Sequence, residues 1–170
     1  SLTGFGVKLS SVIVEIGQDS LFLCLVLTMI VCIVLGMGLP ATASYVLAAA
    51  ILAPVLTTLG VPILVSHLFI FYFAGFSTIT PPVCAAVYLS SGIAHSDWLK
   101  TGFLSCLIAL PAFVVPYTFI YDTSLLMIGS AGSVATAVVT AFLGVWAIGT
   151  GVAGYIRTRM NLVFRILAIG

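Results

Sequence analysis

Residues 20–96 contain no Asp, Glu, Lys or Arg, so this long stretch has no charged side chain to place in water. Such a stretch enters or crosses a lipid bilayer as helices, because a helix satisfies its own backbone hydrogen bonds in hydrocarbon. The rest of the chain agrees, since 62% of its 170 residues are hydrophobic and 5% are charged. The mean hydropathy is +1.37. The sequence therefore predicts an all-α integral membrane protein surrounded by lipid.

Two clusters rich in Gly, Pro and hydroxyl side chains interrupt the apolar stretch. The first reads Gly-Met-Gly-Leu-Pro-Ala-Thr at 36–42, and the second reads Ser-Thr-Ile-Thr-Pro-Pro at 77–82. Proline ends a helix because it lacks an N–H and clashes with the preceding turn. Backbone groups left without partners are costly in hydrocarbon, so two breaks at membrane depth indicate a binding site built from interrupted helices.

Five segments follow from these breaks and from the polar turns between the apolar runs. In chain order we predict an interfacial segment or end of a preceding helix at 1–19, a helical hairpin at 20–60, a discontinuous helix at 61–94, a transmembrane helix at 95–122, and an additional transmembrane helix with a basic cytoplasmic tail at 123–170. The hairpin tip lies at 36–42 and the break in the discontinuous helix at 78–82. Each hairpin arm approaches the thickness of the hydrocarbon, so the hairpin is either re-entrant or a pair of ordinary spans.

The few charged residues predict an orientation and exclude one class of partner. Lys and Arg collect in cytoplasmic loops. With the arginines at 157–165 on the cytoplasmic side, Lys100 also falls inside, Asp122 falls outside and the hairpin tip points inward. A net charge of +1 with five scattered Lys and Arg residues provides no basic face, so nucleic acid is not a partner.

Proline acts at both breaks by removing hydrogen-bond donors. Pro40 has no N–H for the Gly36 carbonyl, and the proline pair at 81–82 leaves the carbonyls of Ser77 and Thr78 without helical donors. Neutral carbonyl and hydroxyl oxygens suit a hard monovalent cation such as Na⁺, and half-helix ends direct partial charge at it. Storing a proton would instead require a titratable side chain at membrane depth.

The candidate ligands therefore come from the two breaks. The predicted ion- and solute-binding residues, which are also the candidate Na⁺ ligands, are Gly36, Gly38, Pro40, Thr42, Ser77, Thr78, Thr80 and Pro81. We predict no cofactor other than Na⁺ as a coupling ion. His67 is interpreted as a packed or interfacial residue, with a solute or proton role as the alternative.

Two other classes of protein are alternatives to a carrier. An intramembrane hydrolase needs a nucleophile with a base, or paired carboxylates, at membrane depth, and the spans contain neither arrangement, so no enzyme is predicted. A channel or a structural membrane subunit is a second alternative, because oxygen-lined helix breaks also occur in pores.

The two motifs also carry a family resemblance. Leu-Gly-Met-Gly-Leu-Pro-Ala-Thr-Ala at 35–43, followed by Thr-Ile-Thr-Pro-Pro-Val at 78–83, resembles the large membrane subunit of TRAP transporters, the tripartite ATP-independent periplasmic family. The likeness covers roughly residues 2–126 and corresponds to the C-terminal part of that subunit. The Gly-Met-Gly-Leu-Pro form resembles the branch in which the small and large membrane subunits are fused. The additional span at 134–154 departs from the shorter family pattern but suits that branch.

This resemblance implies a function and partners. It implies a Na⁺-coupled secondary transporter of the bacterial inner membrane that imports an organic acid delivered by a periplasmic solute-binding protein. The chain would be half of an inverted-repeat, elevator-type permease, completed by an N-terminal half and a small membrane subunit region. The tip and break residues named above are the site residues that the resemblance carries over. The nearest alternative is a Na⁺/dicarboxylate-type carrier that works without a binding protein.

Overall fold

The computed structural model of the chain describes the backbone of residues 2–153 and the side chains of residues 4, 6–15 and 20–153. Within these residues the regular structure is entirely helical, which confirms the predicted all-α class. The helices are α1 (Leu2–Asp19), α2 (Leu21–Gly36), α3 (Ala41–Thr58), α4 (Ile63–Phe76), α5 (Ala85–Ile93), α6 (Trp98–Tyr121) and α7 (Ala131–Ala153), with a 3₁₀ turn at Thr123–Leu126. The predicted basic tail with the arginines at 157–165 lies outside the described residues.

Helices α3, α6 and α7 are each long and apolar enough to cross a membrane. Helices α2 and α4 contain no charged residue but are shorter. The chain is therefore a multi-pass membrane protein by helix length and composition.

Local sequence signals set the ends of the hairpin helices. Ser20 caps α2, and its hydroxyl accepts a hydrogen bond from the Leu23 N–H at 3.4 Å. At the end of α3, Gly60 adopts a left-handed conformation with φ of +87°. The Val61 N–H then donates to the Leu56 carbonyl at 3.1 Å, which is the long closing bond of a Schellman cap.

By its internal contacts the chain divides into two units, one ending at Phe103 and the other beginning at Leu104. In the first unit, α2, α3 and α4 pack against one another, and α1 packs against α2 and α3. Large side chains with less than 2% exposure form its core, among them Leu25, Leu52, Leu56, Phe69, Ile70 and Phe73. Helix α1 joins this core through Ile13, which is 2% exposed, so the segment predicted as interfacial also packs on the hairpin.

The second unit contains most of α6, the 3₁₀ turn and α7, and α7 contacts the turn. Asp122 caps the turn, because its carboxylate accepts a hydrogen bond from the Ser124 N–H at 2.9 Å. This bond and a second one from the Ser124 side chain lower the pKa of Asp122. The turn ends at Met127, whose φ of +60° is left-handed.

Candidate functional site

The hairpin tip is a tight turn between two helix ends. Helix α2 ends at Gly36, and α3 begins directly after Pro40. The Leu39 N–H donates to the Gly36 carbonyl at 3.1 Å, and the Ser44 N–H donates to the Pro40 carbonyl at 3.0 Å. Gly38 takes a φ of +80°, a conformation that side chains other than glycine rarely adopt. The sequence Gly-Met-Gly-Leu-Pro therefore forms the tight turn at the tip of the hairpin.

The break in the discontinuous helix is longer than the predicted range of 78–82. Helix α4 ends at Phe76 and α5 begins only at Ala85. Three hydroxyls fold back onto the last turns of α4. Ser77 donates to the Ala74 carbonyl at 2.6 Å, Thr78 to the Gly75 carbonyl at 2.8 Å, and Thr80 to the Phe76 carbonyl at 2.7 Å. These bonds complete the end of α4 and leave the lone pairs of each hydroxyl oxygen available to accept.

The expectation that proline frees the carbonyls on both sides is wrong at two positions. The Gly36 carbonyl, which has no donor in Pro40, accepts from the Leu39 N–H instead. The Thr78 carbonyl accepts from the Ala86 N–H at 3.1 Å, so the first turn of α5 bonds back across the break. A chain in hydrocarbon finds local donors for such groups, because each unsatisfied one is costly. Each carbonyl keeps a second lone pair that these bonds do not use.

The hairpin tip and the end of α4 meet at Gly36. A Cβ atom at position 36 would overlap the hydroxyl oxygens of Ser44 and Ser77 and would lie 2.6 Å from the Ser77 Cβ. Only glycine leaves space for this approach of α2, α3 and α4. Gly36, Ser44 and Ser77 are all buried, and the two serines are 0% exposed. We refer to these three residues as the junction.

The Ser44 hydroxyl is the unusual group at the junction. In the described part of the chain its oxygen is buried and has no hydrogen-bond partner. Leaving a buried hydroxyl unsatisfied costs about 1–3 kcal/mol. Most such groups in proteins are paired, so an orphan that faces a second buried hydroxyl marks a place where a ligand oxygen or a cation would be stabilised.

The tip and the following helices also approach the break at two other points. A Cβ atom on Gly38 would lie 3.3 Å from the Val83 side chain. A Cβ atom on Gly102, in the first part of α6, would lie 3.0 Å from the Cys84 sulfur and 3.1 Å from the Pro81 ring. Glycine therefore permits close packing on both sides of the segment that joins α4 to α5.

The structure divides the residues predicted from the sequence into three groups. Gly36 and Ser77 are brought together and buried at the junction. Thr78, Thr80 and Pro81 lie half-buried along the break, whereas Gly38, Pro40 and Thr42 are exposed. Ser44 is not among the residues predicted from the sequence. The signal that could have found it is a hydroxyl one turn into the helix that starts after Pro40.

His67 has a protein partner within the first unit. Its Nδ1 lies 3.0 Å from the Tyr45 hydroxyl, which joins α4 to α3. The two rings also pack edge to face, with centroids 6.1 Å apart. This contact agrees with the interpretation of His67 as a packed residue.

The fold and the junction define a class of protein, a multi-pass, all-α membrane protein in which a helical hairpin meets a discontinuous helix. The family model described as "Tripartite ATP-independent periplasmic transporter, DctM component" matches residues 1–134. The chain therefore belongs to this family, and it is a membrane permease component of the TRAP type rather than an enzyme. A comparison with curated proteins gives no match, and neither does a comparison with solved structures.

Membership has two direct consequences. Transporters of this family work with a periplasmic binding protein and with other membrane components, and the permease lies in a lipid bilayer. The match ends at residue 134, whereas α7 extends from Ala131 to Ala153. Most of α7 thus lies beyond the residues that the family model covers, where the sequence predicts an additional span.

Proposed function

We propose that this chain is the C-terminal part of a fused TRAP permease that imports an organic acid into a bacterium across the inner membrane. Uptake is driven by a Na⁺ gradient, and a periplasmic solute-binding protein delivers the acid. Na⁺ binds where the hairpin tip meets the break, and the candidate ligands are those predicted from the sequence together with Ser44. The missing half of the permease completes the solute site.

The observation that carries this proposal is the unpartnered, buried Ser44 hydroxyl facing Ser77 across Gly36. Na⁺ is a hard cation that neutral oxygens can hold, and the junction offers hydroxyl oxygens without any carboxylate. The C-terminal ends of α2 and α4 meet here, and each directs partial negative charge at the junction. Gly36, Ser44 and Ser77 themselves include no titratable side chain that could store a proton instead.

The proposal also gives a physical reason for coupling. An ion that satisfies Ser44 and Ser77 together stabilises the contact between the hairpin tip and α4. Without the ion the Ser44 hydroxyl stays buried without a partner, so ion occupancy favours the arrangement in which the tip packs against α4. Solute binding beside the packed tip then depends on Na⁺, as linkage requires.

Binding of radioactive Na⁺ to the purified full-length permease tests the ion site, with K⁺ and Li⁺ as competitors. We expect saturable, Na⁺-selective binding that weakens about tenfold in Ser44→Ala and Ser77→Ala, since each loses one ligand. Thr42→Ala and Thr80→Ala test the remaining hydroxyls, and we expect weaker binding in both without loss of folding.

Ser66→Ala is the matched control. Ser66 is also 0% exposed, but its hydroxyl donates to the Pro62 carbonyl at 3.1 Å at the other end of α4. The Na⁺ affinity of the Ser66→Ala permease must equal that of the unaltered permease. Equal Na⁺ affinities in the unaltered permease and in all four hydroxyl variants would contradict the proposed ion site. Absence of saturable Na⁺ binding would contradict Na⁺ coupling.

Reconstitution tests the rest of the proposal. We expect uptake into proteoliposomes to saturate with solute, to require an inward Na⁺ gradient and to require the binding protein. Uptake that proceeds fully without the binding protein would identify the alternative, a carrier that takes its solute directly. Flux that does not saturate would identify a channel.

A further inference from the structure

A cavity of about 510 Å³ lies in the first unit beside the hairpin tip. Its walls are Gly38 from the tip, residues 82–85 from the end of the break, Tyr88 and Leu89 from α5, and Trp98 from the start of α6. Gly38 belongs both to the tip and to this wall, so the cavity begins two residues from the junction.

The chemistry of the walls is apolar and aromatic. Among the residues that line the cavity none carries a charge, and the polar side-chain groups are the Tyr88 hydroxyl, the Trp98 indole N–H and the Cys84 thiol. The Tyr88 and Trp98 rings pack edge to face with centroids 6.4 Å apart. Leu89 is 71% exposed beside them, so an apolar surface faces the cavity instead of the core.

These walls discriminate strongly between kinds of organic acid. A hydroxyl or a second carboxylate placed against Leu89, Val83 or the ring faces would lose its water, and the wall offers it few partners beyond the Tyr88 hydroxyl and the Trp98 indole N–H. An aliphatic or aromatic group would gain burial against the same surface. Space is sufficient, because an apolar cavity of roughly 150 Å³ already holds benzene.

We propose that the solute is a monocarboxylate with an apolar body, either aromatic or branched aliphatic, which this cavity binds. Leu89 contacts the aliphatic part, and the Tyr88 and Trp98 pair contacts a flat ring. Sugar acids with several hydroxyls and dicarboxylates bind less tightly, because this wall offers their additional polar groups few partners. This inference rests on the proposed function, which supplies the carboxylate and the coupling to Na⁺.

Ligand competition on the unaltered, full-length permease is the primary test. The permease is purified without the binding protein, so that the selectivity of that protein does not enter. Phenylacetate and 4-methylpentanoate are compared with succinate and gluconate by thermal shift and by displacement of radiolabelled phenylacetate in saturating Na⁺. We expect the two apolar acids to bind at least about tenfold more tightly than the other two.

Two variants locate the site, and a third is their control. Leu89→Asn should weaken 4-methylpentanoate binding about tenfold, whereas Ile93→Asn should not change it. Ile93 is on the same helix and is 84% exposed, but it does not line the cavity. Trp98→Leu should weaken phenylacetate about threefold and 4-methylpentanoate less, because it removes a ring contact and keeps apolar volume.

Radioactive Na⁺ binding, measured in parallel, separates this inference from the proposed function. Saturable Na⁺ binding combined with tighter binding of succinate or gluconate overturns the solute class and leaves the ion site intact. Apolar acids that bind equally well without Na⁺ support the cavity and overturn coupling. Equal losses in Leu89→Asn and Ile93→Asn overturn the location, and if either variant fails to fold, the competition on the unaltered permease decides.

Discussion

The two units of this chain differ in how much of their apolar sequence is buried. In the most apolar window of α3, 33% of the residues are buried, whereas in that of α7 none are. Both helices are long enough to cross a membrane. In the first unit polar groups are buried as well, among them Ser44, Ser66 and Ser77. In α7 large side chains such as Phe142 and Trp146 are exposed.

This difference shows that hydrophobicity does not decide what is buried in a membrane protein. Lipid solvates Leu and Phe about as well as a protein core does, so apolar side chains alone do not drive helices together. Close packing and satisfaction of polar groups do. In the first unit glycine supplies the close approach and hydroxyls supply the polar contacts, whereas in α7 the large apolar side chains stay exposed.

Removing a large core side chain from the first unit should have the largest effect on stability. Phe73 is 0% exposed and packs edge to face on Phe69 with centroids 4.8 Å apart. Phe73→Ala leaves a cavity, and we expect a loss of about 2–3 kcal/mol, below the range for soluble proteins because lipid also solvates the ring. The melting temperature of the full-length permease in detergent measures this loss.

Phe142→Ala in α7 is the matched control for that substitution. Phe142 is 70% exposed, so its removal leaves no internal cavity. We expect no change in melting temperature. An equal loss in the two variants would show that α7 is packed as tightly as α4 in the whole permease.

A methyl group at the junction should have the next largest effect. Gly36→Ala forces its Cβ into the Ser44 and Ser77 hydroxyls, and we expect a loss of about 1–3 kcal/mol. Gly144→Ala is the control in α7, because among the described residues no atom lies within 4 Å of its added Cβ. Combining Gly36→Ala with Ser77→Gly should recover part of the stability. If the double variant is no more stable than the single one, the overlap with Ser77 is not the cause.

A smaller effect is expected where α6 approaches the break. Gly102→Ala places a Cβ 3.0 Å from the Cys84 sulfur, which is tight but allows a small shift. We expect about 1 kcal/mol of destabilisation. Gly149→Ala in α7 meets the Pro111 ring at an ordinary 3.6 Å and should be neutral. Thermal unfolding of both variants checks the pair, and a larger loss at Gly149 would contradict the comparison.

The smallest effect concerns the 3₁₀ turn of the second unit, which the exposed Asp122 caps. Hydrogen bonds from Ser124 lower the pKa of Asp122. They therefore stabilise the folded state at pH values above the ordinary pKa of the carboxyl. This stabilisation is lost as pH falls through the lowered pKa. Ser124→Ala should therefore melt slightly earlier than the unaltered permease at pH 7. The difference should shrink as pH falls below the ordinary carboxyl pKa and vanish once pH lies below the lowered pKa of Asp122. A difference that persists or grows in acid would show that Ser124 acts by packing.

Much of this architecture is legible in the sequence because proline and glycine act locally. Helix α2 ends at Gly36, and α6 begins at Trp98, one residue after Asp97, so Gly, Pro and polar residues mark the ends of these helices. The meeting of Gly36 with Ser77 depends on how α2 and α4 pack, which no local signal encodes. The same limit explains the error about freed carbonyls, since Ala86 reaches Thr78 only after the chain has folded across the break. Most of the cavity wall beside Trp98 likewise comes from residues that no sequence motif had singled out.

The fit around Gly36 also gives substitutions at the junction different effects. A substitution at Gly36 adds atoms, whereas one at Ser44 or Ser77 can remove them. A codon change that shortens Ser44 or Ser77 removes atoms from this fit. Every codon change at Gly36 that replaces the residue adds atoms where none fit. The geometry of the tip therefore depends on a residue without a side chain, whereas the two serines that face it can change without adding atoms.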